Sequence, residues 1–243
     1  MALAHCIEHG HPPADLHEAD PKRFPNEFNS AQALASRVPE VLGKHYEISY
    51  PARQWETSRN LRKTPLHNQW QAEDAHFGQF FGWERPLYFG CDQPPVPTFG
   101  KPDWQNQVER EVRAAHEQAA IFDQSTFGKI EVTGKDACAF LNLVFANQMD
   151  REPGHAIYTA MLNERGGFES DLTAIRIGDE HYRLFVGTGA IKRDLAWLNS
   201  HIADGMQVYL EDKTAEFSVL GLMGPKAAEI VTAVGASDLS ELG

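Results

Sequence analysis

Residues 158–177 read YTAMLNERGGFESDLTAIRI. Two apolar runs flank the polar break NERGG at 163–167, and glycine supplies the positive φ that a tight turn requires. The chain is committed here to a hairpin. Side chains of a strand alternate between faces, so Glu169, Asp171, Thr173, Ile175 and Ile177 share one face. Asp171 falls where a wet turn gives way to an apolar strand. A half-buried carboxylate at such a junction can act as a base or accept a ligand's N–H groups. Folding about the turn sets Tyr158 opposite residue 171 or 172, and one residue of register decides whether Tyr158 and Asp171 share a face. The plain alternative is an exposed acid near a hairpin end.

The elements around the hairpin mix strands and helices without strict β-α alternation. Val108, Val112, Ala115, Ala119 and Phe122 recur at helical spacing. GKIEVTG alternates as a strand, and Asp136 opens a helix through about Phe145. HYRLFVGT is a strand. AIKRDLAWLNSHIAD is a helix with Ile191, Leu195, Leu198 and Ile202 on one face and Gly205 at its end. MQVYLE and EFSVLGLM follow as strands, and Gly224-Pro225 opens a last helix. Upstream, a helix starts near Ser30 and stops by Gly43, and HYEISYP reads as a strand. The pattern predicts an α+β fold with mixed or antiparallel sheets and packed helices. FGCDQPPVPTFGKPDW holds four prolines and two glycines in 16 residues and reads as an extended connector. It sets a boundary near residue 100, between parts 1–100 and 101–243.

Composition excludes several functions. The net charge of −12 argues against a nucleic-acid partner. No apolar stretch approaches the roughly 20 residues of a membrane helix. Cys6, Cys91 and Cys138 are scattered and form no CxxC, which points to a reducing, cytoplasmic compartment and away from structural zinc. Three further patterns compete with the hairpin. Gly187-x-Gly189 between a strand and a helix has the layout of a dinucleotide site, but Lys192 stands where the third glycine belongs. His5, Cys6, His9 and His11 are of metal-binding type at the frayed end of the chain, and no metal site is assigned there. Trp83, Arg85, Tyr88 and Phe89 are candidates for a stacked cation–π cluster or for packing.

Taken together these stretches resemble a known family. ALAHCIEHGHPPADLHEADPKRF, GKHYEISYPARQWETSRNLRKTPLH and HFGQFFGWERPLYF resemble the dimethylglycine and sarcosine dehydrogenase flavoenzymes. IFDQSTFGKIEVTG, FANQMD, the hairpin itself, GTGAIKRDLAWL and LGLMGP resemble the folate-binding aminomethyltransferase module fused to those enzymes and related to the glycine-cleavage T-protein. The resemblance covers nearly the whole chain.

The resemblance implies that residues 1–100 are the C-terminal part of the FAD-dependent region plus the connector. Residues 101–243 would be the N-terminal part of the folate-binding domain. In the family, FAD serves the oxidation of an N-methyl amine, and the one-carbon unit reaches tetrahydrofolate as 5,10-methylene-tetrahydrofolate. The family's acid at the position of Asp171 interacts with folate and acts as the base, its tyrosine falls on Tyr158, and folate-lining positions fall on Thr173, Phe185 and Gly187. The T-protein branch often carries asparagine at the position of Gly187. No GxGxxG turn stands in this chain, so the resemblance implies an internal piece that does not hold FAD by itself and whose uncovered faces self-associate. A truncated, non-catalytic binding or scaffold protein is the rival from another class, and a stand-alone aminomethyltransferase is a third reading.

Overall fold

The computed structural model describes residues 2–14, 16, 19, 23–90 and 96–235. Cys91 and the adjoining part of the connector lie outside them. The chain divides into two compact units, residues 1–25 with 127–214 and residues 26–126 with 215–243. Both mix helices with sheets, as the α+β pattern requires.

The first unit begins with helix α1 (Ala2–His9). Its body is a sheet of five strands: β5 (Gly128–Thr133), β6 (Ala156–Leu162), β7 (Phe168–Gly178), β8 (His181–Val186) and β9 (Tyr209–Asp212). Their order is β6-β7-β8-β5-β9, and every neighbouring pair is antiparallel. Helices α5 (Ala137–Val144) and α6 (Ile191–Ser200) belong to the same unit. Alternation sends Ile130, Val132, Met161, Leu172, Leu184 and Val186 into one core with Phe140 and Leu141 of α5 and Leu198 of α6. Each such side chain contributes about 1.5–3 kcal/mol on burial, so this face fixes the register of the sheet. Gly134 precedes α5 with φ +122, and a Cβ there would stand 2.1 Å from the Gln207 carbonyl oxygen. Asp136 stands at the N-cap of α5, but its side chain accepts from Gln207 N (2.8 Å) and makes no cap hydrogen bond.

The second unit contains α2 (Ala31–Gly43), β1 (Arg62–Lys63), α3 (His67–Ala72), β2 (Ala75–Phe80), β3 (Trp83–Phe89), α4 (Gln105–Glu117), β4 (Ala120–Asp123), β10 (Leu220–Met223) and α7 (Ala227–Ala233). β1, β3 and β2 form a mixed three-stranded sheet, and β4 pairs with β10. Ser30 caps α2 by accepting from Ala33 N. Asp123 accepts from Thr64 Oγ1 (2.8 Å), Trp70 Nε1 (2.9 Å) and Ser125 N (3.0 Å). Burial pushes its carboxyl up, but these donors outweigh that and hold it below the usual range.

Two expectations fail here. HYEISYP is a turn and irregular chain, with Tyr46 and Ile48 exposed; alternation alone does not supply the neighbouring strand a ladder needs. The helical spacing expected through Phe122 stops at Glu117, because 120–123 is drawn into pairing with β10, with Leu220 opposite Asp123.

Glu40 of α2 accepts from Glu56 N (2.8 Å), Thr57 N (2.9 Å), the Thr57 hydroxyl and Lys44 Nζ (3.2 Å). Burial pushes its carboxyl up, yet these donors prevail and hold it at about 2 against 4.5 for a free glutamate. A depressed value stabilises the fold above about pH 4.5, and the contribution is lost as pH falls towards about 2. Denaturation midpoints measured across that window should fall with pH in the wild type. The Glu40→Gln chain should start lower and fall less steeply.

Candidate functional site

The turn at 163–167 is organised by Asn163. Its Oδ1 accepts from Arg165 N (3.0 Å) and Gly167 N (2.8 Å), and its Nδ2 donates to Glu169 (2.8 Å). Gly166 takes φ +72, the left-handed region that glycine enters without a Cβ clash. Beyond the turn Leu162 pairs with Phe168, but Met161 pairs with Ser170, so Glu169 is the extra residue of a bulge. Tyr158 therefore stands opposite Thr173, not residue 171 or 172 as simple folding about the turn gives.

That one-residue displacement brings Tyr158 and Asp171 onto the same face. Asp171 pairs with Ala160, and the Tyr158 hydroxyl donates to Asp171 Oδ2 at 2.7 Å. The hydrogen bond, and then the negative charge, push the Tyr158 phenol above its usual value. Thr173 pairs with Phe185, and both are half-buried. Gly187 directly follows the end of β8, two residues after Phe185, and a Cβ there would meet only Ala190 Cβ, at 4.0 Å. Tyr158, Asp171, Thr173 and Phe185 thus share one face of the sheet, and Gly187 stands just past the end of its strand β8. One detail differs: Asp171 is exposed, as is Tyr158, rather than half-buried.

Three residues that sequence reasoning missed brace this patch. Ser170, next to Asp171, points to the opposite face and donates to Asp194 Oδ2 (2.8 Å). Asp194 is fully buried in the first turn of α6 and also takes Arg193 Nε (3.1 Å). Its signal was present: Asp194 falls three residues after Ile191 and four before Leu198, on the apolar face. Asn147 donates from Nδ2 to the Tyr158 carbonyl (2.6 Å) and from its backbone N–H to Thr159 Oγ1 (3.1 Å), which steadies β6.

The competing patterns separate. The glycine pair at 187 and 189 joins β8 to α6 in an antiparallel sheet, and a dinucleotide crevice requires parallel strands. Among the described residues no group of three His, Cys, Asp or Glu is placed to hold a metal ion. The GWERPLYF residues do not cluster: Trp83 lies under Arg62, Tyr88 stacks on Trp104 and Phe89 meets Trp70 edge-on. No described helix is long and apolar enough to cross a membrane.

Residues 66–242 match the family described as the GCVT N-terminal domain, and residues 9–64 match the FAD dependent oxidoreductase central domain. The chain belongs to the GCVT N-terminal domain family. It is 34% identical to 4-methylaminobutanoate oxidase (formaldehyde-forming) of Paenarthrobacter nicotinovorans, over 98% of this chain and 29% of that protein. It is 33% identical to the mitochondrial pyruvate dehydrogenase phosphatase regulatory subunit of Mus musculus, over 95% and 27%. It is 29% identical to the mitochondrial sarcosine dehydrogenase of Homo sapiens, over 98% and 30%. The chain spans less than a third of the length of these relatives. Among solved structures it is similar to the glycine cleavage system aminomethyltransferase T from Bartonella henselae, with a TM-score of 0.62 and 26% identity over 74% of this chain and 45% of that one.

The Tyr158–Asp171 bond makes a prediction that needs no ligand. Asp171→Asn removes the charge that favours the protonated phenol, so one of the six tyrosines should ionise at lower pH than in the wild type. A spectrophotometric titration of both chains, with Tyr158→Phe as the control, checks it.

Proposed function

We propose that the sheet face carrying Tyr158, Asp171, Thr173, Phe185 and Gly187 binds folate. In this reading the parent activity joins the one-carbon unit of an N-methyl amine to tetrahydrofolate as 5,10-methylene-tetrahydrofolate. The observation that supports it is the Tyr158 hydroxyl seated on Asp171 Oδ2 at 2.7 Å on an open face. The pterin ring is flat, with hydrogen-bonding groups along its edge. Half-buried Phe185 and the Thr173 methyl offer it an apolar surface, Asp171 offers acceptor oxygens, and Gly187 leaves space. The residues present therefore fit the group.

When bound, tetrahydrofolate supplies the amine nitrogens that take up the one-carbon unit. Tyr158 orients the carboxylate through Oδ2. Asp171 Oδ1 accepts no hydrogen bond from the described residues, and it is the atom we assign to hold a folate N–H and take up the proton released in the transfer. Oxidation of the amine with FAD is, in this reading, the work of the longer proteins of the family.

A second reading draws on the relative named as a regulatory subunit. In that reading the same face of this chain binds folate without turnover. Calorimetric binding of tetrahydrofolate to the 243-residue chain, together with the rate of methylene-tetrahydrofolate formation from formaldehyde, tests both. We expect Asp171→Ala to weaken binding about 10- to 100-fold, the loss of a charge-assisted hydrogen bond. We expect Asp171→Asn to slow the transfer about 100- to 10,000-fold, the loss of a positioned base. Equal binding by wild type and Asp171→Ala would overturn the folate reading. Binding with no acceleration by the wild type would leave the regulatory one.

A further inference from the structure

The second unit holds an open cavity that the folate reading does not use. Its volume is about 460 Å³, within the range of small-ligand pockets. Two of the charges along its wall cancel. Glu84, on β3, is almost fully buried and takes Arg59 Nε (2.9 Å), a second N–H of the same guanidinium, and Asn60 N (2.6 Å). Arg59 spends another N–H on the Phe77 carbonyl (2.9 Å). The pair is satisfied and carries no net charge into the cavity.

Lys63 and His67 remain on the wall. Lys63 is exposed, its backbone is paired with Glu84 in the sheet, and its ammonium makes no hydrogen bond or ion pair with any described residue. His67 is 5% exposed, its ring lies 4.3 Å from that of Phe77, and its Nδ1 is buried without a hydrogen-bond partner. A buried polar atom left without a partner is costly in a folded protein, and such atoms are rare. Here the orphaned nitrogen belongs to a side chain bordering a cavity beside a cation that nothing in the described chain neutralises.

We propose that this cavity is a binding site for a small oxyanion, a carboxylate or phosphate group, received by Lys63 and His67. The lining charges favour an anion over a cation, because Arg59 and Glu84 cancel and Lys63 is left over. Gln71 adds amide hydrogen-bonding capacity to the lining, and Phe77 adds an apolar ring. The imidazole is linked to the binding. Burial, and then the charge of Lys63, hold His67 below its usual value, while Glu84 pulls it up. Arg59 and His76 also line the cavity, and the His76 ring stacks on Tyr88. An anion beside Lys63 offsets both depressing causes, so His67 takes a proton as the anion enters. The affinity should therefore rise as pH falls through the His67 value of the complex.

The test is a titration of the 243-residue chain with inorganic phosphate and, separately, with acetate. It follows the imidazole C–H signals of the eleven histidines by NMR, with His67 assigned by comparison with His67→Gln. We expect one histidine, His67, to shift saturably and its titration midpoint to rise. Lys63→Gln, a change at an exposed side chain that leaves the fold intact, should weaken that saturation at least about tenfold. Asp171→Asn should not affect it, which separates this site from the folate face. Saturation by phosphate alone or by acetate alone identifies the oxyanion class. A shift that grows without saturation for both anions, or one unchanged by Lys63→Gln, overturns the proposal.

Discussion

Glu169 stands in β7 without a partner in β6, and every cross-strand pair beyond it is displaced by one residue. The displacement is fixed from the other side of the sheet. Thr159, Met161, Ser170 and Leu172 all face inward and are buried, and a slip of one position would turn each of them to solvent. The bulge reconciles this inward set with the turn that Asn163 organises. It leaves Tyr158 and Asp171 as diagonal neighbours across Ala160 and Thr173, close enough for a direct hydrogen bond. The patch is thus a consequence of core packing and one inserted residue. Asp194, locked onto Ser170, holds the strand at the same level from behind.

The two units treat buried carboxylates differently from the site carboxylate. Glu84, Asp123 and Asp194 are surrounded by donors, and Glu40 accepts from two backbone N–H groups, a hydroxyl and a lysine. A buried acid with its lone pairs filled is a structural tie. Asp171 is exposed and accepts a single hydrogen bond from the described residues, on one oxygen. In the folate reading proposed above, the other oxygen is the one left for the ligand.

Much of this was legible in the sequence, where the signal was local. Ser30 and Gly43 bound α2, the period of two in GKIEVTG marks β5, and the double glycine marks the hairpin. The face shared by Asp171 and Thr173 followed from alternation. What stayed hidden depends on distant partners. The end of α4 at Glu117 is decided by β10, about a hundred residues away. HYEISYP has a strand's alternation but no neighbour to pair with among the described residues. The pairing of Tyr158 turns on a bulge that no composition rule locates, and the tie between Ser170 and Asp194 joins two elements that local reading keeps apart. The resemblance supplied what neither periodicity nor spacing could, namely which ligand such a face would meet.

The most direct test of the account is a map of contacts between bound tetrahydrofolate and the isotopically labelled 243-residue chain, by isotope-filtered nuclear Overhauser effects. The account predicts contacts from the pterin to the Tyr158 ring, the Thr173 methyl and the Phe185 ring, all lost together in Asp171→Ala at the same ligand concentration. Contacts confined to residues off this face, or a saturated complex with none to Tyr158 and Phe185, would contradict it.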